Sequence, residues 1–505
     1  MMRLGELVAA VAGAELRGSA EVQVEGLEFD SRRVRPGCAF VALRGEKTDG
    51  NRFIRQAAEA GAVAVFSELA PPPAPMELSG PRGTLAWVRV PDALAAMSEA
   101  AAAFYGDPSA AMTVVGVTGT NGKTTTTWLL ESIASRAGKT PGVLGTTGHR
   151  LRHRALEEAA NTTPPAADLL RLLGRMRDGG ADFVAMEVSS HALALKRADG
   201  VRFDAAVLTN LHSDHLDFHG TREAYLEAKV RLFELLERPD GGKPRRAALL
   251  NRDDPAYDRF RRRIQAVPCA GFGLSPEADY RGEAVVLSQT GTLFTLKARG
   301  RALSVRLRLL GEHNVMNALA AASAALELGL PDQAVVEGLG ALESVPGRLE
   351  PVSAGQPFAV LVDFAHTAQA LDTVLAAISR LPHRRVITVF GCGGDRDRTK
   401  RAPMGRAAAE ASDLVIATSD NPRGEEPVDI LREVEAGLRS VGRENYRIVP
   451  DRREAIREAL SVAQAGDVVL LAGKGHETTQ TLRDRVVPFD DRQVAREALK
   501  DLGRA

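Results

Sequence analysis

The sequence predicts an α/β protein of three domains, and three observations carry that prediction. Its 505 residues are enough for about three domains of ordinary size. Short apolar runs of β character alternate with helical patterns through the middle and the end of the chain, as in mostly parallel sheets covered on both faces. A Gly-rich turn joins one such run to a helix at residues 114–127. The expected division is a smaller α/β domain over 1–109, a central P-loop domain with a mostly parallel sheet over 110–344, and a Rossmann-like domain over 345–505.

Taken in order, the first block shows strand-like runs at 39–43, 62–66 and 85–90 and an Ala-rich helix at 93–104. Pro71-Pro-Pro-Ala-Pro75 resembles a linker, but the strand and helix after it need partners, so the boundary falls near Gly106-Asp-Pro-Ser109. In the second block a strand at 114–117 enters the Gly-rich turn, and Trp128, Leu129, Leu130 and Ile133 mark the helix that follows. Further strands are expected at 181–186, 205–208 and 247–250. Residues 279–310 read as antiparallel strands, and a helix runs from near Asn314 to Leu328. The third block opens near Val345-Pro-Gly-Arg348, with strands at 358–364, 385–390, 414–417 and 468–471 and helices over 368–378 and around 407–411. Ligands of such sheets collect beyond the carboxyl ends of strands. The polar clusters of this block lie there: Asp363 with His366, residues 391–398, residues 420–423, and Gly473-Lys-Gly-His-Glu477.

Composition narrows the function classes. Lys+Arg and Asp+Glu are equal at 65 each, so no basic bias points to nucleic acid. Cys38, Cys269 and Cys392 are too far apart for a disulfide framework or a thiolate zinc site. No apolar run approaches the ~20 residues of a membrane span, and Met-Met-Arg-Leu-Gly-Glu-Leu lacks a signal peptide's apolar core. A cytoplasmic enzyme, monomeric by default, is the expectation.

The Gly-rich turn, Thr118-Gly-Thr-Asn-Gly-Lys-Thr-Thr125, has the chemistry of a phosphate cradle, although Val117 stands where the strict pattern has its first glycine. Gly119 and Gly122 admit phosphate oxygens close to the backbone, Lys123 supplies a cation, and Thr124 offers a hydroxyl for Mg²⁺. ATP is the implied ligand. Downstream, Glu187 ends an apolar run, and His191, His212, His215 and His219 crowd one short region. Their spacing is not that of a zinc motif. A carboxylate, imidazoles and hydroxyls near a phosphate loop suit Mg²⁺ held jointly with substrate phosphates.

These residues resemble the Mur ligase family, the ATP-dependent amino-acid-adding enzymes of peptidoglycan precursor synthesis. The resemblance spans the chain. It rests on the phosphate loop, Asn161-Thr-Thr-Pro164, Glu187-Val-Ser-Ser-His191, Asp214-His-Leu-Asp217, Tyr225-Leu-Glu-Ala-Lys229 and His313-Asn-Val-Met-Asn317. It continues through Pro346-Gly-Arg348, Asp363-Phe-Ala-His366, Gly391-Cys-Gly-Gly-Asp-Arg396, Asp420-Asn-Pro-Arg423 and Gly473-Lys-Gly-His-Glu477. Within the family it is similar to the branch that adds the third amino acid, diaminopimelate, to UDP-N-acetylmuramoyl-L-Ala-D-Glu.

Carried over by residue, the resemblance implies that Gly119, Thr120, Asn121, Gly122, Lys123, Thr124 and Thr125 hold ATP phosphates, and that Asn317, Arg348 and Asp363 hold the rest of the nucleotide. Thr124, Glu187 and His215 would serve Mg²⁺, with Lys229 modified by CO₂ to a carbamate that serves a second ion. The implied catalytic set is Lys123, Glu187, His215 and Lys229. Phe29, Ser31, Glu46, Lys47 and Thr48 fall at the uridine end of the sugar substrate; Asn161, Thr162, Thr163, Ser189 and Arg197 fall along its sugar-peptide end. Arg396, Asp420, Asn421, Pro422, Arg423, Gly473 and Glu477 would bind meso-diaminopimelate. Two positions depart from the family pattern: Leu195, where a polar contact is expected, and Glu46-Lys47-Thr48. Three alternatives are weighed against this. L-lysine or another diamino acid would replace diaminopimelate if Arg423 only paired with Glu425 or Glu426. A folylpolyglutamate- or cyanophycin-type ligase would lack Asp30-Ser-Arg32 and the Asp420-Asn-Pro-Arg423 context, and a non-enzymatic P-loop protein would have no use for Lys229, Glu187, His215 and Asp363 together.

Overall fold

The computed structural model describes residues 1–45, 48–71, 78–212, 214–238, 242–288 and 291–504. Two compact units divide the chain: Met1–Asp279 with Ala320–Val335, and Tyr280–Leu319 with Val336–Ala505.

Unit 1 carries two large sheets beside two small two-stranded ones. The first runs, in spatial order, Glu15–Arg17, Ala86–Arg89, Ala64–Ser67, Cys38–Val41 and Gly26–Glu28, parallel except at Glu15–Arg17. Asp92 starts the helix Ala93–Phe104 by accepting from the Ala95 N–H, and that helix buries Ala93, Ala96, Met97, Ala100 and Ala101. The second sheet runs Arg154–Glu157, His149–Leu151, Pro141–Leu144, Phe183–Glu187, Thr113–Thr118, Ala205–Leu208, Ala247–Asn251 and Cys269–Gly273. From Pro141–Leu144 onward the pairs are parallel. The strand Pro141–Leu144 and the antiparallel pair beside it carry no alternating apolar pattern, and the sequence reading passed over them. Central strands such as Val114, Val115, Val117, Val184, Ala206 and Leu208 are fully buried, which is why they read as continuous apolar runs.

One helix of unit 1 matters for the site. Thr221 caps Arg222–Glu237 by accepting from the Ala224 N–H (3.1 Å). Tyr225, Leu226, Lys229, Val230, Leu232, Phe233 and Leu236 lie on its buried face, so the helical period carries Lys229 inward with the apolar side chains.

In unit 2 the strands Tyr280–Ser288, Gly291–Ala298 and Arg301–Leu307 pair antiparallel, as expected. The second sheet here runs Glu350–Pro351, Ala359–Asp363, Val468–Ala472, Val386–Phe390, Leu414–Ala417 and Tyr446–Ile448, parallel after the first pair. Register pairs Asp363 with Ala472 and Phe390 with Ala417, so the loops after these strands open at one edge. Among the described residues no helix is long and apolar enough to cross a membrane.

Candidate functional site

The phosphate loop leaves the centre of the unit 1 sheet at Thr118. Gly119 has φ 148°, and a Cβ there would lie 1.8 Å from Thr209 Oγ1, so only glycine fits. The helix Lys123–Arg136 begins at Gly122 with no side-chain cap, and its first internal bond runs from the Thr126 N–H to the Gly122 carbonyl (2.9 Å). Its dipole and first-turn N–H groups suit an anion. Lys123 Nζ folds over the loop, donating to the carbonyls of Gly119 (2.7 Å) and Thr120 (2.9 Å). Asn210 has a role that the sequence reading missed: its carbonyl accepts the Thr120 N–H (3.0 Å) and its Oδ1 the Asn121 N–H (2.9 Å). Those two amides therefore shape the loop, and the helix start is left to meet phosphate.

Glu187, 1% exposed, ends the neighbouring strand. Its Oε2 accepts from Thr124 Oγ1 and Thr146 Oγ1 (both 3.1 Å) and its Oε1 from the Thr146 N–H (2.9 Å). Thr146 follows the strand that the sequence reading passed over, so nothing had flagged it. Thr146 Oγ1 meets Thr162 Oγ1 at 3.1 Å; Thr163 Oγ1 donates to the Glu187 carbonyl (2.9 Å) and accepts the Ser189 N–H (3.0 Å). Arg197 Nη1 donates to the Thr163 carbonyl (3.0 Å). Thr162, Thr163, Ser189 and Arg197 are thus brought together, with Asn161 exposed beside them. Arg197 also lines a cavity of about 710 Å³ with Phe29, Ser31, Thr48 and Leu195. Leu195 is an apolar part of that wall, in place of the polar contact expected there. Glu46 and Lys47 lie outside the described residues.

His215 and Lys229 complete the unit 1 cluster differently. His215, in the left-handed region at φ 53°, has half its side chain exposed and meets His191 edge to face (ring centroids 4.7 Å). Among the described residues it does not share the hydrogen bonds around Glu187. Burial lowers its pKa, with Asp214 opposing and Lys123 and Lys229 reinforcing the shift. Lys229 is 1% exposed, with Nζ 4.5 Å from the centroid of the Tyr225 ring. It has no hydrogen-bonding partner among the described residues, and burial, reinforced by Lys123, takes its pKa well below 10.5. Thr124 and Glu187 present hard oxygen donors suited to Mg²⁺. No group of three or more His, Cys, Asp or Glu that could hold a metal ion is found among the described residues.

Unit 2 gathers the other set. Asp363, fully enclosed, accepts the Leu349 N–H (2.7 Å) and the Ala365 N–H (2.9 Å), which fixes the turn carrying Arg348; burial raises its pKa. The Arg348 guanidinium lies 5.2 Å from the Phe364 ring, and Asn317 Nδ2 donates to Asn314 Oδ1 (2.9 Å). At the sheet edge, Arg423 Nη1 donates to the Gly394 carbonyl (2.9 Å) and has no carboxylate partner among the described residues. Glu425 pairs instead with buried Arg401, which holds its carboxyl down at about 2, and Glu426 pairs with Arg483. The surface-turn pairing is therefore excluded. Asp420 lies against Gly473, where a Cβ would come within 2.7 Å of Asp420 Oδ2. Asn421 Nδ2 donates to Glu477 Oε2 (2.8 Å), and Pro422 is buried. Arg396 stands apart, exposed and without a hydrogen bond or ion pair among the described residues. Lys474, missed as a functional residue although it lies inside a quoted motif, is 0% exposed and donates to Glu477 Oε2 (2.8 Å), the Thr479 carbonyl (2.7 Å) and Asn421 Oδ1 (3.3 Å).

Comparison with known proteins places the chain in a family. Residues 23–105 match the Mur ligase family catalytic domain, 117–325 the Mur ligase middle domain and 347–475 the Mur ligase glutamate ligase domain. The UDP-N-acetylmuramoyl-L-alanyl-D-glutamate–2,6-diaminopimelate ligase of Solibacter usitatus is 46% identical over 507 residues, covering 99% of each chain. A solved structure of an enzyme of that name matches with a TM-score of 0.70 and 33% identity over 100% of both chains. The folylpolyglutamate synthase of Mycobacterium tuberculosis, at 17% identity and a TM-score of 0.61 over 81% of this chain and 95% of its own, shares the fold alone. With three family domains matched in order and full-length relatives this similar, the chain belongs to the Mur ligase family.

Proposed function

We infer that this protein is an ATP-dependent ligase that adds meso-2,6-diaminopimelate to the D-Glu γ-carboxylate of UDP-N-acetylmuramoyl-L-Ala-D-Glu, in cytoplasmic peptidoglycan precursor synthesis. The full-length relatives that bear this name support the reaction. The single observation that carries the choice of amino acid is Arg423: a guanidinium held by the Gly394 carbonyl with no carboxylate partner among the described residues, in the loop whose Asn421 is bonded to Glu477. A ligand with ammonium and carboxylate at its far end complements that set; lysine would leave the cation unpaired.

The proposed roles follow from the geometry. Lys123 and the first turn of Lys123–Arg136 hold the transferred phosphoryl group. Thr124 and Glu187, with His215, would hold Mg²⁺, which when bound offsets phosphate charge. The substrate carboxylate oxygen attacks the γ-phosphorus and the bond to ADP breaks, giving an acyl phosphate. The amine then attacks the acyl carbon, phosphate leaves, and the amine's proton passes to solvent. Arg197 orients the acceptor from the large cavity, with Ser189 joined to it through Thr163. Lys229, pushed by burial toward the neutral amine, is suited to react with CO₂: its nitrogen bonds to the carbon, a proton is released, and the neutral amine becomes an anion. The division at 1–109, 110–344 and 345–505 is read as one of labour, with sugar, phosphate and amino acid handled in turn by a monomer. Ligation by the native enzyme and Arg423→Ala is measured with diaminopimelate and L-lysine at matched concentrations. Native enzyme should prefer diaminopimelate by about 10²-fold or more, and Arg423→Ala should lose most of that preference. A native preference for lysine, or an unchanged preference in the variant, would overturn the reading.

A further inference from the structure

Lys474 has the acceptors that a buried ammonium needs. Its three N–H groups meet three oxygens: Glu477 Oε2, the Thr479 carbonyl and Asn421 Oδ1. Asn421 Oδ1 also accepts the Thr481 N–H (2.9 Å), and its Nδ2 donates to the Glu477 oxygen that Lys474 holds. The amide cannot flip, because flipping would set its NH₂ group against two donors. The Thr481 carbonyl in turn accepts the Arg423 N–H (3.1 Å), so one buried cation ties the loop of Asp420–Arg423 to the loop of Gly473–Glu477. Glu477 Oε2 is taken by two internal donors, while Oε1 has no hydrogen-bonding partner among the described residues.

We propose that Lys474 is a positioning residue for the incoming amino acid: its ammonium fixes Asn421 and Glu477 so that Glu477 offers Oε1 to the substrate's ammonium. The proposal rests on the reading of this pocket as the amino-acid site. Electrostatics agree with the geometry. Burial alone would push the Glu477 carboxyl up, but Lys474, together with Asn421 and His476, outweighs burial and leaves it below the ordinary value. Lys474 itself touches no substrate. Its effect passes through Glu477, so losing it should weaken binding of one substrate out of three.

Two variants test this. Lys474→Met removes the charge and every N–H; Lys474→Gln keeps a donor for Glu477 and removes only the charge, so it serves if the first fails to fold. Initial rates are measured with diaminopimelate, ATP and the sugar dipeptide varied in turn. KM for diaminopimelate should rise at least about tenfold, with the other two KM values within about twofold of native. In Lys474→Gln, kcat/KM for diaminopimelate should also fall on the acid side, where native enzyme stays flat, because Glu477 without its cation titrates higher. A folded variant with an unchanged KM for diaminopimelate, or one losing affinity for all three substrates with a flat pH profile, would overturn the inference and leave the assigned reaction standing. Failure of native enzyme to use diaminopimelate would instead sink the reading beneath it.

Discussion

Lys229 and Lys474 are 1% and 0% exposed, yet they meet opposite surroundings. Lys229 sits among apolar side chains of its own helix with an aromatic ring under Nζ and no acceptor among the described residues. Lys474 has a carboxylate, an amide and a carbonyl within 3.3 Å. Desolvation costs both ammonium groups several kcal/mol, and only the second recovers that cost through paired charge and filled hydrogen bonds. Lys229 is therefore pushed toward the neutral amine, a reagent; Lys474 is held by three acceptors, a brace. Burial alone does not set a lysine's task. The acceptors within reach do.

The largest expected effect is on Lys229. Lys229→Ala should lower kcat by about 10²-fold or more, as loss of a group that orders charge around the transferred phosphate would. A short-chain carboxylate added to the assay should restore part of that rate by supplying the missing anion in the vacated space. Full activity without any added acid would end the distinction between the two lysines, since Lys229 would then be inert packing.

Stability should separate the pair next. Lys474→Met strands the Glu477 carboxylate, a third of whose side chain reaches water, and should cost about 2 kcal/mol. Lys229→Met removes a buried amine without acceptors and should raise stability by about 1–2 kcal/mol in CO₂-free buffer. The gain has a sign in pH. The folded pKa of Lys229 lies well below 10.5, so between the two values the unfolded chain binds a proton that the folded chain does not. Native stability therefore falls as pH drops from 10.5 toward the folded pKa. The advantage of Lys229→Met should then be greater at neutral pH than near pH ~10, read by thermal unfolding at each. Equal shifts for both methionine variants would mean that their environments are not as different as the geometry makes them.

The same contrast explains what the sequence could disclose. The phosphate loop was legible because glycine conformation and a strand-to-helix turn are local, and Lys123 and Thr124 follow from them. The parallel strands were legible as fully apolar runs. Glu187 stood out at a strand end, but its partner Thr146 follows a strand, Pro141–Leu144, that has no pattern of its own. Lys474 lay inside a motif already quoted and Asn210 just after a strand already expected, yet their hydrogen-bond partners are residues 53 and 89 positions away. No periodicity reports such a contact. Lys229 was named by resemblance; its lack of a hydrogen-bonding acceptor among the described residues is a property of the packed helix. For Arg423, the two neighbouring glutamates suggested a surface ion pair, and only the fold shows both already engaged by Arg401 and Arg483.

The smallest expected effect concerns the cavity wall at Leu195, where brace and reagent are both out of reach. Leu195 lies beside Arg197 in the cavity of about 710 Å³ with Phe29 and Ser31, so under the proposed function a side chain there would touch the sugar substrate rather than the reacting carboxylate. Leucine offers that substrate contact area and no hydrogen bond. A glutamine of similar length would add one neutral hydrogen bond, worth about 1 kcal/mol net. Leu195→Gln should accordingly lower KM for the sugar dipeptide by about fivefold at most, with kcat and KM for diaminopimelate unmoved. Such a change marks uniform binding: the contact is the same in ground and transition states, unlike the one that Lys229 supplies. A large fall in kcat would place Leu195 against the reacting group and would require the acceptor to lie deeper in the cavity than Arg197 and Ser189 imply. A rise in KM would show that leucine packs against an apolar part of the substrate, and that the departure from the family pattern is a fitted contact.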